Sequence, residues 1–292
     1  MDLASPNGSA TPEWPGTLDV PGLLATGWRP VPFREFVLKI HSRCDLACDY
    51  CYMYAMADQS WRGRPRTMSG RTLDKVAERI AEHTATYELE SVELILHGGE
   101  PLLAGTGLLE EAVSKVRRAV SGTRVDATIQ TNGVGLDRGF LEMFDRLDVH
   151  VGLSLDGDAT GHDRHRRHAD GRGSHAEVLA ALELLTGERY AHLFDGLLCT
   201  VDLGNNPRDL RRADGPRPPV VDFLLAPGNW AAGGPWSARR RCAPAPVPTA
   251  GRGPSVSAGP APARPGGRRR VRDVEGDRWW SVLDMPGSAV AI

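Results

Sequence analysis

The sequence predicts an α/β protein whose core is a partial (β/α)6 barrel, flanked by an N-terminal arm and a C-terminal tail. Three observations lead there. Between about residues 35 and 226, strand-like apolar runs alternate six times with helical stretches, the pattern of a parallel sheet wrapped by helices. Chemistry-bearing residues follow these runs directly, and barrels of this TIM-like kind gather their chemistry at the C-terminal ends of strands. Outside the alternation the composition changes: residues 1–30 are rich in Pro, Gly and Ser, and 231–270 are dominated by Ala, Gly, Pro and Arg. Such a bias builds no packed core.

The first strand is expected at 35–41, followed by a cysteine-bearing loop and a helix at 70–87. A second strand at 91–97 leads to a helix at 107–121, and a third at 124–130 ends at Thr131-Asn132-Gly133 before a helix at 137–146. The fourth strand, 149–154, precedes a helix at 175–187; strands five and six fall at 194–201 and 220–225. Between those two the helical stretch is weak: 205–213 offers about two turns before Pro216 and the Pro218–Pro219 pair end it. Strand six is then expected to lack cover, leaving its edge exposed. The domains read as a flexible arm (1–30, with Trp14, Leu18, Leu23 and Leu24 as anchors onto a neighbouring surface), a core barrel (31–230) and a low-complexity, disordered tail (231–292).

With 292 residues, 41% hydrophobic, 25% charged and a formal net charge of −2, the chain suits one soluble domain with appendages. Near-neutral charge argues against nucleic acid as a partner. No apolar run approaches the roughly 18 residues needed to cross a membrane, and no signal peptide opens the chain. A cytoplasmic, reducing location is expected.

Cys44, Cys48 and Cys51 stand in the spacing Cys-x3-Cys-x2-Cys, with Tyr50 before the last. A [4Fe–4S] cluster is normally held by four cysteines; three leave one iron open to bind and activate a ligand. A structural zinc site with His41 as fourth ligand is the competing reading. Such sites are usually closed and built from two ligand pairs, and no second pair exists, Cys199 and Cys242 lying far apart. Disulfides are disfavoured by the odd clustered thiol and the lack of a secretion signal. After strand two comes His97-Gly98-Gly99-Glu100-Pro101, glycines that admit close backbone approach beside a carboxylate. Strand three ends Gln130-Thr131-Asn132-Gly133. Strand four ends Ser154-Leu155-Asp156-Gly157, then His162-Asp163-Arg164-His165-Arg166 and Gly171-Arg172-Gly173-Ser174. Read alone, 162–172 is a solvated basic loop.

Together these motifs resemble the radical S-adenosylmethionine (SAM) enzymes. The resemblance implies that Cys44, Cys48 and Cys51 hold a [4Fe–4S] cluster and that Tyr50 lies beside it. It implies that Gly98, Gly99, Glu100 and Pro101 hold the amino group of SAM, with Asn132, Ser154 and Arg166 also at the cofactor. Asp156 would line the cavity as the catalytic residue. SAM on the open iron, reductively cleaved, would release a 5′-deoxyadenosyl radical that takes hydrogen from an unactivated C–H bond, the protein positioning the reactants and excluding water. A flavodoxin- or ferredoxin-type electron donor is implied.

From about Trp14 to Trp230 the chain looks like the FxsB-type peptide maturases that form cyclophane C–C crosslinks. Its carriers include the stretch Trp28-Arg29-Pro30-Val31-Pro32-Phe33 before the cysteines and Cys51-Tyr52-Met53-Tyr54 after them. The implied partner is a ribosomally made precursor peptide. Those maturases continue into a cysteine-rich SPASM domain with auxiliary clusters. Here only Cys242 follows residue 226, so no such domain is expected, and a frameshift in a GC-rich gene would account for the change of composition. Two classes stay open: an active radical SAM enzyme, or a non-catalytic remnant that only binds peptide or SAM.

Overall fold

Apolar residues at every second position decide where the strands run. The computed structural model of the chain describes residues 19–55, 59–202, 204–205, 218–225, 269–272 and 279–282. In it β1 (Glu35–His41) buries Phe36, Leu38 and Ile40, and β2 (Ser91–Gly98) buries Val92, Leu94 and Leu96. β3 (Arg124–Thr131) buries Val125, Ala127 and Ile129, and β4 (Val149–Ser154) buries Val149, Val151 and Leu153. β5 (Phe194–Val201) and β6 (Val221–Leu225) complete the predicted set.

All six pair in parallel, each beside its predecessor in the chain. Parallel crossovers are right-handed, so an order that never reverses sends every helix to the same face. The other face is left as the inner wall of the expected partial (β/α)6 barrel. Register puts Lys39 beside His97, Ile95 beside Thr128, Gln130 beside Gly152 and Ser154 beside Leu198 on that wall.

The helices cover the outer face because their apolar positions recur at helical spacing. α2 (Gly70–Thr86) buries Leu73, Ala77, Ile80 and Thr84, and Ser69 caps it by accepting from Thr72 N. α3 (Gly105–Ala119) buries Leu109, Ala112, Val113 and Val116, and α4 (Arg138–Leu147) buries Leu141, Met143 and Phe144. α6 (His175–Thr186) buries Val178, Ala181, Leu182 and Leu185. Strand and helix residues form one continuous apolar cluster.

Four features differ from expectation. The stretch after strand four is not a solvated loop: α5 (Ala159–His165) forms there, capped by Asp158, and places His162 and Arg166 in the interior. Its seven residues carry no apolar stripe, which hid it. The N-terminal arm contains α1 (Val20–Ala25), nucleated by Asp19 accepting from Gly22 N at 2.9 Å with Pro in its first turn. The chain divides between Phe33 and Arg34, so α1 stands as part of a separate unit. The edge of β6 is not bare: β8 (Trp279–Val282) pairs in parallel with it through Asp222↔Ser281 and Phe223↔Val282, and β7 (Arg269–Arg272) pairs antiparallel with β8. Thus part of the segment expected to be a disordered tail forms strand. Trp14, Leu18, the weak helix at 206–213 and Cys242 lie outside the described residues. Among the described residues no helix is long and apolar enough to cross a membrane.

Candidate functional site

The site is built on the loops at the C-terminal ends of β1 to β5, and two knots of hydrogen bonds hold it. The first joins the cysteine loop to the ends of β2 and β3. Gly99 N donates to His41 O and Glu100 N to Arg43 O, both at 2.9 Å. A side chain on Gly98, whose φ is 149°, would strike His41 O; one on Gly99 would strike Arg43 O and the Tyr54 hydroxyl. What the paired glycines approach is therefore the backbone of the cysteine loop. Glu100 is 1% exposed, and its carboxylate is occupied. Oε1 accepts from Leu102 N (2.9 Å) and Thr131 Oγ1 (2.7 Å), and Oε2 from Asn132 N (2.8 Å). Burial pushes its pKa up to about 7 against the pull of those three donors, with Asp45 adding to the rise. Pro101 is buried at the start of a short 3₁₀ turn, where its missing N–H is no loss. Asn132 turns its amide onto the loop: Nδ2 donates to Asp45 Oδ1 at 2.7 Å and lies 3.7 Å from Cys44 Sγ, while Oδ1 accepts from Val134 N at 2.9 Å.

The second knot surrounds Tyr50. Its hydroxyl donates to Asp156 Oδ2 and accepts from Arg166 Nη1 at 3.0 Å. Asp156 is 3% exposed, and its other oxygen accepts from Thr200 N at 2.8 Å, at the end of β5. Burial raises the Tyr50 pKa, with Arg166 opposing and Asp156 reinforcing, so the phenol keeps its proton and remains the donor. The Arg166 guanidinium lies 3.9 Å from Asp156 Oδ2, and its Nε is buried without a partner among the described residues. Ser154, at the end of β4, is buried and accepts from Gln130 Nε2 at 3.0 Å. The predicted residues are thus gathered in one region. Glu100, Asn132 and Asp156, however, spend their polar atoms on the protein.

The three thiols are free and half-buried. Burial raises the pKa of Cys44, and pushes that of Cys48 up to about 11 with Arg166 opposing, so thiolates form there with the uptake of metal. A single ion needs its ligands converged on one point about 2.3 Å from each sulfur, whereas a [4Fe–4S] cluster would be held by cysteine thiolates alone. Among the described residues no three His, Cys, Asp or Glu side chains converge on a single-ion site. His41, required by the zinc reading, sets Nδ1 3.0 Å from Arg43 O. Three free thiols within eight residues are the donor chemistry that a [4Fe–4S] cluster takes, with one iron left open.

Sequence reasoning missed Asp45, Gln130 and Arg43. Arg43 stacks on Trp61 at 4.9 Å and donates to Trp61 O at 3.0 Å, stapling the 59–66 segment to the cysteine loop. Nothing local marks these residues, since each acts through a partner distant in the chain.

Comparison with known proteins adds the following. A family model described as the Radical SAM superfamily matches residues 38–210, more than half of the chain. A serine-type anaerobic sulfatase-maturating enzyme of Bacteroides thetaiotaomicron is 30% identical over 163 residues, 55% of this chain and 39% of that protein. An uncharacterized protein of Synechocystis sp., sll1766, is also 30% identical, over 55% of this chain and 40% of its own. A solved structure of native anSMEcpe with bound AdoMet superposes with a TM-score of 0.54 at 22% identity, covering 66% of this chain and 52% of that one. The chain spans about two fifths of the length of these curated relatives.

Proposed function

Because the chain belongs to the radical SAM superfamily, we propose that it is a peptide- or protein-modifying enzyme using the family's cofactors, a [4Fe–4S] cluster and SAM. The observation that carries the proposal is the convergence of the Cys44, Cys48 and Cys51 loop with the ends of β2, β3 and β4 through Glu100, Asn132 and Asp156. When bound, the cluster and SAM supply one-electron cleavage of the sulfonium and the carbon radical that takes hydrogen from substrate. The residues of the chain do the rest. Cys44, Cys48 and Cys51 would hold the cluster. Gly98 and Gly99 let the β2 turn lie against the cysteine loop, and Glu100 and Asn132 keep it there. Arg166 offers its unused N–H to an anionic group, a charge-assisted contact.

Supporting a peptide or protein substrate is the likeness to sulfatase-maturating enzymes, whose names state that they act on another protein. The finer reading is cyclophane C–C crosslinking of a ribosomally made precursor peptide in the cytoplasm, with a flavodoxin- or ferredoxin-type electron donor. It rests on the FxsB-like stretches flanking the cysteines.

Anaerobic reconstitution with iron and sulfide, followed by SAM and a strong reductant, tests the core of the proposal. The expected product is 5′-deoxyadenosine, lost in Cys44→Ala. Cluster uptake without 5′-deoxyadenosine would refute SAM cleavage, and failure to take up a cluster would leave a non-catalytic chain.

A further inference from the structure

The segment between β4 and α6 contains a chain of buried polar groups that the proposed function does not use. His162 and Ser174 are both 0% exposed. Asp156 N lies 3.2 Å from His162 Nδ1 and can only donate, so Nδ1 accepts and the ring proton sits on Nε2. His162 Nε2 then donates to Ser174 Oγ at 3.0 Å, and the Ser174 hydroxyl donates to Arg166 O at 2.8 Å. Every link has its direction forced by the one before. Burial, then the charges of Arg166 and His175, push the His162 pKa down to about 3, so the ring stays neutral.

Both ends of this chain are informative. They are the backbones of Asp156 and Arg166, the two residues whose side chains meet at Tyr50 of the cysteine loop. The turn is closed by Arg166 N donating to His162 O at 2.9 Å. It is fastened from outside by Asp163 Oδ1 accepting from His175 N at 2.9 Å, in space that a side chain on Gly173 would fill. A second observation points to a ligand: Arg166, 8% exposed, keeps its buried Nε–H without a partner among the described residues. A buried guanidinium with an unspent donor is costly unless something anionic completes it.

We propose that His162 and Ser174 are positioning residues: a buried relay that sets Asp156 and Arg166 against Tyr50 and so governs how tightly a carboxylate-bearing cofactor, SAM, is held. This rests on the cofactor reading above. A histidine that merely fills the core predicts something different, a loss of stability with no change in SAM affinity per folded, cluster-loaded chain.

The full chain is reconstituted anaerobically as wild type, His162→Leu, His162→Gln and Ser174→Ala. Four quantities are read: iron per chain, the unfolding midpoint, the SAM dissociation constant by equilibrium dialysis, and the electron paramagnetic resonance spectrum of the reduced cluster with SAM. Expected is wild-type iron content with SAM affinity lowered about tenfold or more in His162→Leu, the range typical of residues that orient ligands. Ser174→Ala, which breaks only the second half of the relay, gives a smaller loss. His162→Gln, retaining a donor toward Ser174, recovers part of it. Should His162→Leu fail to fold, Ser174→Ala and His162→Gln still decide the matter. SAM affinity and spectrum indistinguishable from wild type in the variants that fold, with only the unfolding midpoint lowered, overturn the relay. A wild type that takes up a cluster but no SAM overturns the cofactor reading itself, and the two failures are told apart by the wild-type measurement.

Discussion

Glu100→Gln isolates the electrostatic strain in the knot that ties β2 to β3. The carboxylate is buried and its pKa stands at about 7, against an ordinary value of 4.5. Between those values the native state holds a proton that the unfolded chain has released, so stability falls as pH rises through the window. Integrated from pH 5 to pH 8.5, the loss is about 2.5 kcal/mol, at about 1.36 kcal/mol per pK unit. Glutamine has no proton to lose and escapes this penalty. It introduces another: with its oxygen serving Leu102 N and Thr131 Oγ1, its amide meets the donor Asn132 N, now 2.8 Å from Glu100 Oε2. A buried donor left without an acceptor costs about 1–3 kcal/mol. Denaturant unfolding of metal-free wild type and variant, at both pH values, is therefore expected to show Glu100→Gln less stable at pH 5 and close to wild type at pH 8.5. Titrations elsewhere in the chain cancel in the difference. A stability difference unchanged between the two pH values would refute a strained, ionising Glu100.

Three further outcomes are expected. Gly99→Ala forces the β2 turn off the cysteine loop, because the new methyl meets Arg43 O and the Tyr54 hydroxyl; iron per chain after reconstitution falls while far-ultraviolet circular dichroism persists, and full iron content would contradict the packing role. Phe144→Ala empties a fully buried position on α4 and lowers unfolding free energy by about 3–5 kcal/mol, a loss under about 1 kcal/mol by denaturant titration arguing against this core. His162, with its pKa near 3 in the fold, stays neutral where the unfolded imidazole charges; on acidification from about pH 6.5 the fold loses up to roughly 5 kcal/mol from this group, a slope absent in His162→Leu.

The strands and their order were legible because they rest on local information. Alternating apolar residues, glycine turns and helix-length amphipathic runs are written within each segment, and the barrel follows once six such units succeed one another with no reversal of order. The cysteine spacing was legible for the same reason, three cysteines within eight residues. α5 escaped because seven residues without an apolar stripe look like loop, and β7 and β8 because four-residue strands vanish in a segment of biased composition.

The destinations of the polar side chains were not written locally. The sequence by itself placed Glu100, Asn132 and Asp156 at strand ends and Arg166 in the stretch after strand four, and the resemblance implied that Glu100, Asn132 and Arg166 meet the cofactor while Asp156 lines the cavity. Tertiary packing decided which protein groups their polar atoms meet. Glu100 bonds Thr131, 31 residues away, Asn132 bonds Asp45, 87 away, and Asp156 bonds Tyr50, 106 away. The reason is physical: a buried polar group must find a partner or cost its desolvation, and which partners are within reach depends on segments that only folding brings together. Of the four, Arg166 alone keeps an unpartnered buried donor among the described residues.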